Sequence, residues 1–371
     1  MASIYGNVLH LSIFGQSHSP AIGCSLDGIP AGIAIDEEKL QAFLDRRAPG
    51  RDETATKRRE ADRAHLIAGV VDGHTCGAPI AGIIENTNTR SKDYSGLRTT
   101  PRPGHADYPA RIKYRNEHDV AGGGHFSGRL TAPLCIAGGI ALQALEAMGI
   151  RVVAHIAQIG NISDLPLDEL AFREDDRAAI LSNTLPCIDE TAAERMRAEV
   201  MQARDELDSI GGIVECGVYG LQAGIGDPMF DGIENRIARI AFGIPAVKGV
   251  EFGAGFAVGA MRGSENNDAY RIDETGNVEV TTNNAGGILG GISTGAPIIW
   301  RMAVKPTPSI SKEQDSVNLD TRENSTLEIK GRHDPCIVPR AVPVAEAAAA
   351  LAVLDALLED GAFTGYETAE E

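Results

Sequence analysis

The chain has 371 residues, of which 43% are hydrophobic and 23% are charged, proportions typical of a globular protein with an extensive core. Its 34 basic and 52 acidic residues give a formal net charge of −18. Because the average field of so acidic a chain repels polyanions, the composition argues against nucleic acid and membrane surfaces as partners.

The cysteines and the N-terminus indicate the cellular compartment. The two closest cysteines, Cys187 and Cys216, are 29 positions apart, which excludes a CxxC metal knuckle and is unlike a dense disulfide framework. The first residues lack a basic segment followed by a continuous apolar core, so we predict no signal peptide. No charge-free apolar run reaches the roughly 20 residues that span a bilayer. The sequence therefore predicts a cytoplasmic protein with free thiols.

Periodicity and end signals predict strands and helices along the whole chain. Alternating or β-branched runs predict strands at 4–14, 67–71, 80–85, 150–159, 213–221, 250–260 and 298–304. Apolar faces predict helices at 36–47, 133–148, 189–208, 231–242 and 340–359, the first capped by Asp36. No linker rich in Ser, Gly and Pro separates these elements, so we expect one α+β domain over residues 1–371 with several helices in its core.

Glycine is abundant and clustered. The chain has 42 glycines, with dense groups at 121–128 (AGGGHFSG) and 285–295 (AGGILGGISTG). Clusters of this kind, without a repeat period, indicate that the backbone closely approaches another element or a ligand.

Two stretches near the N-terminus concentrate imidazole and guanidinium groups. The sequence FGQSHS places His18 among turn-forming residues, where it is either a polar turn residue or an acid–base group. Arg46 and Arg47 begin a basic island, RRAPGR, which KRREADR continues at 57–63. The island is either a solvated surface or a pocket for a polyanionic small molecule, since guanidinium groups match carboxylate and phosphate geometry.

Two further stretches lie in the long irregular segment at 86–129 and near the C-terminus. In RPGHADY (102–108), His105 and Asp107 are either a base with its orienting carboxylate or two metal ligands. KPTPS (305–309) and KGRHDPC (330–336) precede the last helix, and Pro335 favours an extended or turn backbone at Asp334. The plain alternative for the last stretch is a proline-punctuated loop.

Missing signatures narrow the class of enzyme. The sequence has no GxxxxGK[ST] phosphate loop, no HExxH zinc helix and no GxSxG nucleophile elbow. Gly253-Ala-Gly255-Phe-Ala-Val-Gly259 is one residue too long for a dinucleotide fingerprint. The residues alone therefore predict an acidic enzyme whose Arg- and His-rich glycine loops bind an anionic substrate, and they leave the reaction open.

The ordered set of these motifs resembles the chorismate synthase family along nearly the whole chain. FGQSHS is similar to the family's FGESHG, and RRAPG and KRREAD to its RRxPG and RREPD. DYSGLRTTPRPGHADYPARIKY matches the family's DYS…RPGHADY…KY run. AGGGHFSGRLT, AVKGVEFG, NNAGGILGGISTGAPI, KPTPSI and GRHDPCIVPRAVPVAEA follow in the family's order and at similar spacing.

The resemblance implies a fold and an activity. The fold is an α+β arrangement in which core helices are sandwiched between antiparallel β-sheets. The activity is that of a carbon–oxygen lyase, which eliminates phosphate from 5-enolpyruvylshikimate 3-phosphate to give chorismate, the last step of the shikimate pathway. It requires reduced FMN and consumes no net reducing equivalents. The resemblance further implies a homotetramer with no metal, and NADPH enters only as a candidate reductant of the flavin.

The resemblance also implies roles for single residues. His105 would protonate or hold the leaving phosphate, His18 would act beside the reduced flavin, and Asp334 would accept the proton lost from the substrate. Ser17 and Ser127 would relay protons. The anionic substrate would contact Arg46, Arg47 and Arg129. The implied flavin contacts are His125, Phe126, Ser127, Pro245, Ala246, Gly290, Lys305, Pro306, Thr307, Pro308, Ser309 and Arg332.

The chain departs from the family pattern at a few positions. Gln16 replaces a glutamate beside His18, and His125-Phe126 replaces an Arg-Ser pair after the glycine run. These changes indicate a divergent branch with the same reaction. Two alternatives stay open at this stage, namely a metal-dependent phosphohydrolase using His105, Asp107, His333 and Asp334, and a non-catalytic flavin-binding subunit.

Overall fold

Two antiparallel β-sheets of five strands each enclose a layer of helices in the computed structural model, which describes residues 3–49, 62–86, 96–183, 185–329 and 334–365. The first sheet has the order β1-β2-β3-β7-β4, with β1 Ile4–Tyr5, β2 His10–Gly15, β3 Ala21–Asp27, β7 Ile80–Glu85 and β4 His65–Ala68. The second has the order β11-β16-β10-β8-β9, with β11 Val247–Phe252, β16 Ile298–Val304, β10 Gly212–Tyr219, β8 Arg151–Ile159 and β9 Ile162–Ser163.

Four two-stranded hairpins and eight α-helices complete the described elements. The hairpins are β5 Val70–Val71 with β6 His74–Thr75, β12 Tyr270–Ile272 with β13 Val278–Val280, β14 Ile288–Leu289 with β15 Ile292–Ser293, and β17 Gln314–Asn318 with β18 Glu323–Leu327. The helices are α1 Glu37–Arg47, α2 Asp107–Lys113, α3 Thr131–Ala147, α4 Glu174–Ser182, α5 Glu190–Asp205, α6 Ile233–Ala241, α7 Gly263–Asn266 and α8 Val338–Glu359. Short 3₁₀ turns lie at Ala121–Phe126, Gly128–Leu130 and Gly255–Ala260.

Helices α3 and α8 form the centre of the molecule. Helix α3 packs on the first sheet through β3 and β7, and α8 packs on the second through β8 and β10. The two helices approach closely where Gly138 faces Ala347, because a methyl group at Gly138 would lie 2.2 Å from the Ala347 Cβ. Helices that are apolar on every side must be covered by protein, and this layer covers both.

The same two helices are long and apolar enough to cross a membrane by length and composition. The stretch Gly128–Ala147 is 78% buried inside the protein and Val338–Glu359 is 94% buried. The protein itself therefore covers most of their apolar surface.

The structure confirms the predicted α+β sandwich and most of its elements. The predicted helix at 36–47 is α1, and Asp36 Oδ1 accepts hydrogen bonds from the amides of Glu38 and Lys39 at 2.9 and 3.0 Å. The strand predicted at 298–304 is β16. The strand predicted at 250–260 is wrong in its second half, because Gly253 and Gly255 take positive φ and the chain leaves the sheet for a 3₁₀ turn. The described part of the irregular stretch at 86–129 contains the helix α2 and the 3₁₀ turn Ala121–Phe126.

Candidate active site

A cavity of about 860 Å³ lies beside the glycine run, within the size range of small-molecule sites. Its wall is formed by β1, β2 and the segment after it, the end of α1, the loop before α2, the glycine run with the start of α3, the segment from α6 to β11, the segment after β16, and the start of α8. Its predicted lining residues are Ser17, Arg47, His105, His125, Phe126, Ser127, Arg129, Pro245, Ala246, Lys305, Thr307, Pro308, Ser309 and Asp334. The structure therefore brings together motifs that are up to 317 positions apart in sequence (334 − 17).

The glycine run separates the two predicted catalytic histidines. Gly122, Gly123 and Gly124 have φ values of 60°, 87° and 55°, which side chains with a Cβ rarely adopt. A methyl group at Gly122 would lie 2.6 Å from Ser17 Oγ and 2.7 Å from His18 Nε2. One at Gly123 would lie 3.2 Å from His105 Nε2. Glycine is required here because the backbone passes between the two imidazoles.

His105 is held by a buried carboxylate and a buried guanidinium. Its Nδ1 lies 2.5 Å from Asp107 Oδ1. Arg102 donates from Nε to Asp107 Oδ2 at 2.7 Å and from Nη2 to Oδ1 at 2.8 Å. Burial would raise the pKa of Asp107, but the hydrogen bonds from Arg102 and His105 lower this pKa well below its ordinary value. Asp107 is therefore an anion that accepts a hydrogen bond from Nδ1–H of the ring, which leaves Nε2 on the side of Gly123.

A second buried carboxylate, Asp62, joins two of the predicted substrate-binding arginines. Its Oδ2 accepts a hydrogen bond from Arg47 Nη1 and its Oδ1 one from Arg129 Nη1, and both pairs are almost completely buried. Burial and the charges of Arg340 and Arg129 lower the pKa of Arg47, while Asp62 opposes this change. Burial would raise the pKa of Asp62, and the two arginines lower it.

Arg340 extends this row of charges to Asp334. Its Nε donates to the carbonyl oxygen of Arg47 at 3.0 Å, and its Nη1 donates to Asp334 Oδ2 at 2.5 Å. Asp334 is buried and lines the cavity. The row fixes the positions of Arg47, Arg129 and Asp334 relative to one another, because each side chain has a partner of opposite charge.

His125 ties the glycine run to the N-terminal strands. Its Nδ1 lies 2.8 Å from the carbonyl oxygen of Gly15, and its Nε2 lies 2.8 Å from Ser3 Oγ. A neutral ring satisfies both contacts, by donating to the carbonyl and accepting from the hydroxyl. The neighbouring Phe126 ring lies 6.2 Å from the Tyr114 ring and faces the cavity. His125 therefore fastens the glycine run to the N-terminal strands, and Phe126 forms an apolar part of the cavity wall.

Some predicted residues do not line the cavity. His18 is one of them, although its ring lies next to Gly122. The guanidinium of Arg46 binds Glu346 of α8 through two hydrogen bonds of 2.6 and 2.8 Å and does not line the cavity. Gly290 lies in the turn of the β14–β15 hairpin, also outside the cavity lining of this chain. Pro306 is exposed. Arg332 and His333 lie outside the described residues.

Sequence reasoning missed five residues that line or support the cavity, namely Arg102, Asp62, Arg239, Lys248 and Arg340. Four of them belong to motifs already quoted, since KRREAD ends at Asp62, RPGHADY begins at Arg102, AVKGVEFG contains Lys248, and GRHDPCIVPR ends at Arg340. Arg239 had no such signal, because it lies at the end of an amphipathic helix where a basic residue is ordinary.

Comparison with known proteins identifies the family of the chain. A sequence model of a family described as chorismate synthase matches residues 9–358. The chain is 48% identical over 368 residues to a chorismate synthase of Lancefieldella parvula, which covers 96% of both chains. It is 45% identical over 356 residues to a chorismate synthase of Methanothermobacter thermautotrophicus, with 96% of this chain and 94% of the relative covered. A crystal structure of a chorismate synthase superposes with a TM-score of 0.75 at 26% identity, over 96% of this chain and 93% of that one.

Proposed function

The chain belongs to the chorismate synthase family, and on that premise we propose that it catalyses the anti 1,4-elimination of phosphate from 5-enolpyruvylshikimate 3-phosphate to give chorismate. The observation that carries the proposal is the charge of the cavity. Seven cations line it, Arg47, Arg102, Arg129, Arg239, Lys248, Lys305 and Arg340, and among the described residues the carboxylate in its lining is that of Asp334. In a chain of net charge −18, such a concentration suits a substrate with two carboxylates and a phosphate.

His105 is placed to assist departure of the phosphate. Because Nδ1 is engaged by Asp107, the proton available for transfer is on Nε2. As the carbon–oxygen bond breaks, its electron pair leaves on the phosphate oxygen, and the proton from Nε2 neutralises part of the charge that develops there. Asp107 is a positioning residue, since it orients the ring and does not itself line the cavity, and Arg102 supports Asp107 while also lining the cavity.

His18, Ser17 and Asp334 supply the remaining proton chemistry in this proposal. Ser17 is buried, and its amide donates to the carbonyl oxygen of Gly124 at 3.0 Å, so the FGQSHS turn is fixed against the glycine run. Asp334 is the carboxylate available to accept the proton that the substrate ring loses. Ser127 Oγ accepts from the amide of Arg129 at 3.3 Å and lies in the same wall.

The cavity also suits reduced FMN, the cofactor that we propose. The residues that would hold it are His125, Phe126, Ser127, Pro245, Ala246, Lys305, Thr307, Pro308 and Ser309, which all line the cavity; Pro306, Gly290 and Arg332 stay predictions. Thr307 Oγ1 is buried without a hydrogen-bond partner in the described part of the chain, as expected of a group that awaits a ligand. When bound, reduced FMN supplies the electronic stabilisation for the elimination without net use of reducing equivalents.

An anaerobic assay tests the function. The purified chain with 5-enolpyruvylshikimate 3-phosphate and reduced FMN should release phosphate and form chorismate in equal amounts. His105→Ala and Asp334→Ala should lower turnover while flavin binding is retained. Phosphate release without flavin, persisting in air and abolished by a chelator, would contradict the proposal and favour the phosphohydrolase. A parallel aerobic reaction with NADPH alone, with and without a flavin reductase, shows whether the chain reduces its own flavin.

For the assembly, we propose a homotetramer with one domain per subunit, located in the cytoplasm. Large apolar side chains are strongly exposed on the single chain, with Met229 at 74%, Phe230 at 80% and Phe256 at 87%. Exposed apolar residues of this size favour a covered surface. Sedimentation equilibrium should give four times the chain mass, and Phe230→Ser should lower it. The six free thiols support a reducing compartment.

A further inference from the structure

Asp334, the carboxylate proposed to accept the substrate proton, pairs with a guanidinium that also reaches a second element. Arg340 Nη1 donates to Asp334 Oδ2 at 2.5 Å, and Arg340 Nε donates to the carbonyl oxygen of Arg47 at 3.0 Å. Asp334 is six positions from Arg340 in sequence, whereas Arg47 is 293 positions from it. Because a guanidinium is planar and rigid, its two contacts fix the direction and the separation of their acceptors.

The carbonyl oxygen of Arg47 is a suitable acceptor because it lies at the end of a helix. Arg47 is the last residue of α1, and the last carbonyl groups of an α-helix have no partner within the helix. A guanidinium satisfies such a group and places positive charge at the negative end of the helix dipole. Arg340 itself lies in the first turn of α8, which packs against α1. The guanidinium is therefore fixed between the end of one core helix and the start of another.

The surroundings of Asp334 show what this contact does. Asp334 is 8% exposed and lines the cavity. A carboxylate as buried as this is costly as an anion unless a cation pairs with it. A general base must be anionic, and it must be within hydrogen-bond reach of the proton that it takes. Arg340 supplies the paired charge and, through Oδ2, restrains the orientation of the carboxylate.

We infer that Arg340 is a positioning residue for proton transfer, and that it sets Asp334 relative to a substrate bound at Arg47. The inference rests on the proposed function, which assigns the roles of Asp334 and Arg47. In that reaction a C–H bond of the substrate ring breaks, and its electron pair enters the new double bond. The C–O bond to phosphate breaks with its electron pair on the leaving oxygen, and the proton passes to Asp334. Arg340 exchanges no proton in this step.

Removal of the guanidinium tests the inference on the full chain under anaerobic conditions with reduced FMN. Arg340→Met should lower kcat about 10- to 100-fold, because a displacement of about 1 Å can lower a rate about 100-fold. The dissociation constants of the substrate, by calorimetry, and of FMN, by fluorescence quenching, should each change less than about threefold. Arg340→Lys keeps the charge but lacks the planar fork, so it should recover part of the lost rate.

A double-mutant cycle with Asp334→Asn shows whether the effect acts through the carboxylate. Single-turnover rates are measured in both backgrounds. In the Asp334→Asn background, Arg340→Met should lower the rate less than about twofold, because no base remains to be positioned. A merely structural role of Arg340 would lower the rate by the same factor in both backgrounds and would overturn the inference.

The matched control is Arg177→Met, which removes an exposed arginine that pairs with Glu174 at 3.1 Å and should keep the parental kcat. If Arg340→Met fails to fold by circular dichroism, Arg340→Lys replaces it in the cycle. A parental kcat in the folded variant, or a loss confined to the dissociation constant of the substrate, overturns the inference and leaves the proposed function standing. A parent chain that forms no chorismate refutes the proposed function and the inference together.

Discussion

Asp107 Oδ1 lies 2.5 Å from Nδ1 of His105, and the same carboxylate accepts two hydrogen bonds from the Arg102 side chain. Arg102 Nη1 also donates to Ser309 Oγ at 3.1 Å. The imidazole is thereby connected through one buried guanidinium to the segment 305–309, which we propose to contact the flavin. The orientation of the ring and the position of that segment are therefore coupled.

Asp107→Asn should lower kcat by about 100-fold or more, within the range for loss of general acid–base catalysis. The amide has nearly the shape of the carboxylate, but it can donate to Nδ1 and so favour the wrong tautomer. The dissociation constant of FMN should change little. Asp320→Asn is the control, since Asp320 pairs with Arg111 at an exposed position. Equal loss of kcat and flavin affinity would show a merely structural role.

The sequence predicted the fold where local signals are strong. The apolar sides of α1, α3 and α8 and the Asp36 cap of α1 are readable in the chain itself, as is the β-branched run of β16. The hairpin β17–β18 was missed because its strands, QDSVN and ENSTL, are mostly polar. Strands of this kind are stabilised by pairing with each other, which periodicity does not show.

The site was predictable by its motifs but not by its ion pairs. Asp62 ends a basic run in the sequence, which is typical of a charged surface. In the structure it joins Arg47 to Arg129, and Arg129 is 67 positions beyond Asp62. Arg46 and Arg47 are neighbours in sequence, but they project to different partners, Glu346 and Asp62. Pairing between distant side chains depends on tertiary packing, and one sequence does not contain it.

Gly122→Ala should abolish most activity while the protein stays folded. The methyl group would lie within 2.7 Å of both Ser17 Oγ and His18 Nε2, so the imidazole must move, and a displacement of about 1 Å can lower a rate about 100-fold. The positive φ adds a loss of stability of about 1–2 kcal/mol. The control is Gly149→Ala, which shares the positive φ but has no atom within 4 Å of the added methyl. Similar activities of the two variants would contradict the role assigned to the glycine run.

Asp62→Asn should destabilise the protein by about 3–5 kcal/mol, the usual cost of removing one partner from a buried ion pair. The change leaves the charges of Arg47 and Arg129 buried beside each other without their carboxylate. Urea unfolding followed by circular dichroism measures the effect. Glu174→Gln, which removes an exposed partner of Arg177, should leave the unfolding midpoint unchanged. A loss below about 1 kcal/mol in Asp62→Asn would mean that other groups or water compensate the two guanidinium charges.

The pH dependence of stability should report His155, which lies between two carboxylates away from the cavity. Its Nδ1 is 2.9 Å from Asp164 Oδ2 and its Nε2 is 3.0 Å from Glu215 Oε2. Burial alone would lower the pKa of His155, but the two hydrogen bonds raise it. Burial would raise the pKa values of Asp164 and Glu215, but the hydrogen bonds from His155 lower them. Two other charged groups lie near Glu215. Arg301, on the neighbouring strand, is 3.9 Å from it. Burial and then the charge of Glu215 raise the pKa of Glu169.

A raised folded-state pKa means that the stabilisation from His155 is complete below its unfolded pKa of about 6.5 and is lost as the pH rises through the folded value. The stabilisation from Asp164 and Glu215 is present above about pH 4 and is lost as the pH falls through their lowered values. The free energy of unfolding should therefore decline on the alkaline side of about pH 6.5 in the parent. This decline should be much weaker in His155→Gln, which cannot titrate. The control is His10→Gln, at an exposed position. If the free energy of unfolding varies with pH in the same way in the parent and in His155→Gln between about pH 6 and 9, the buried ring is not charged.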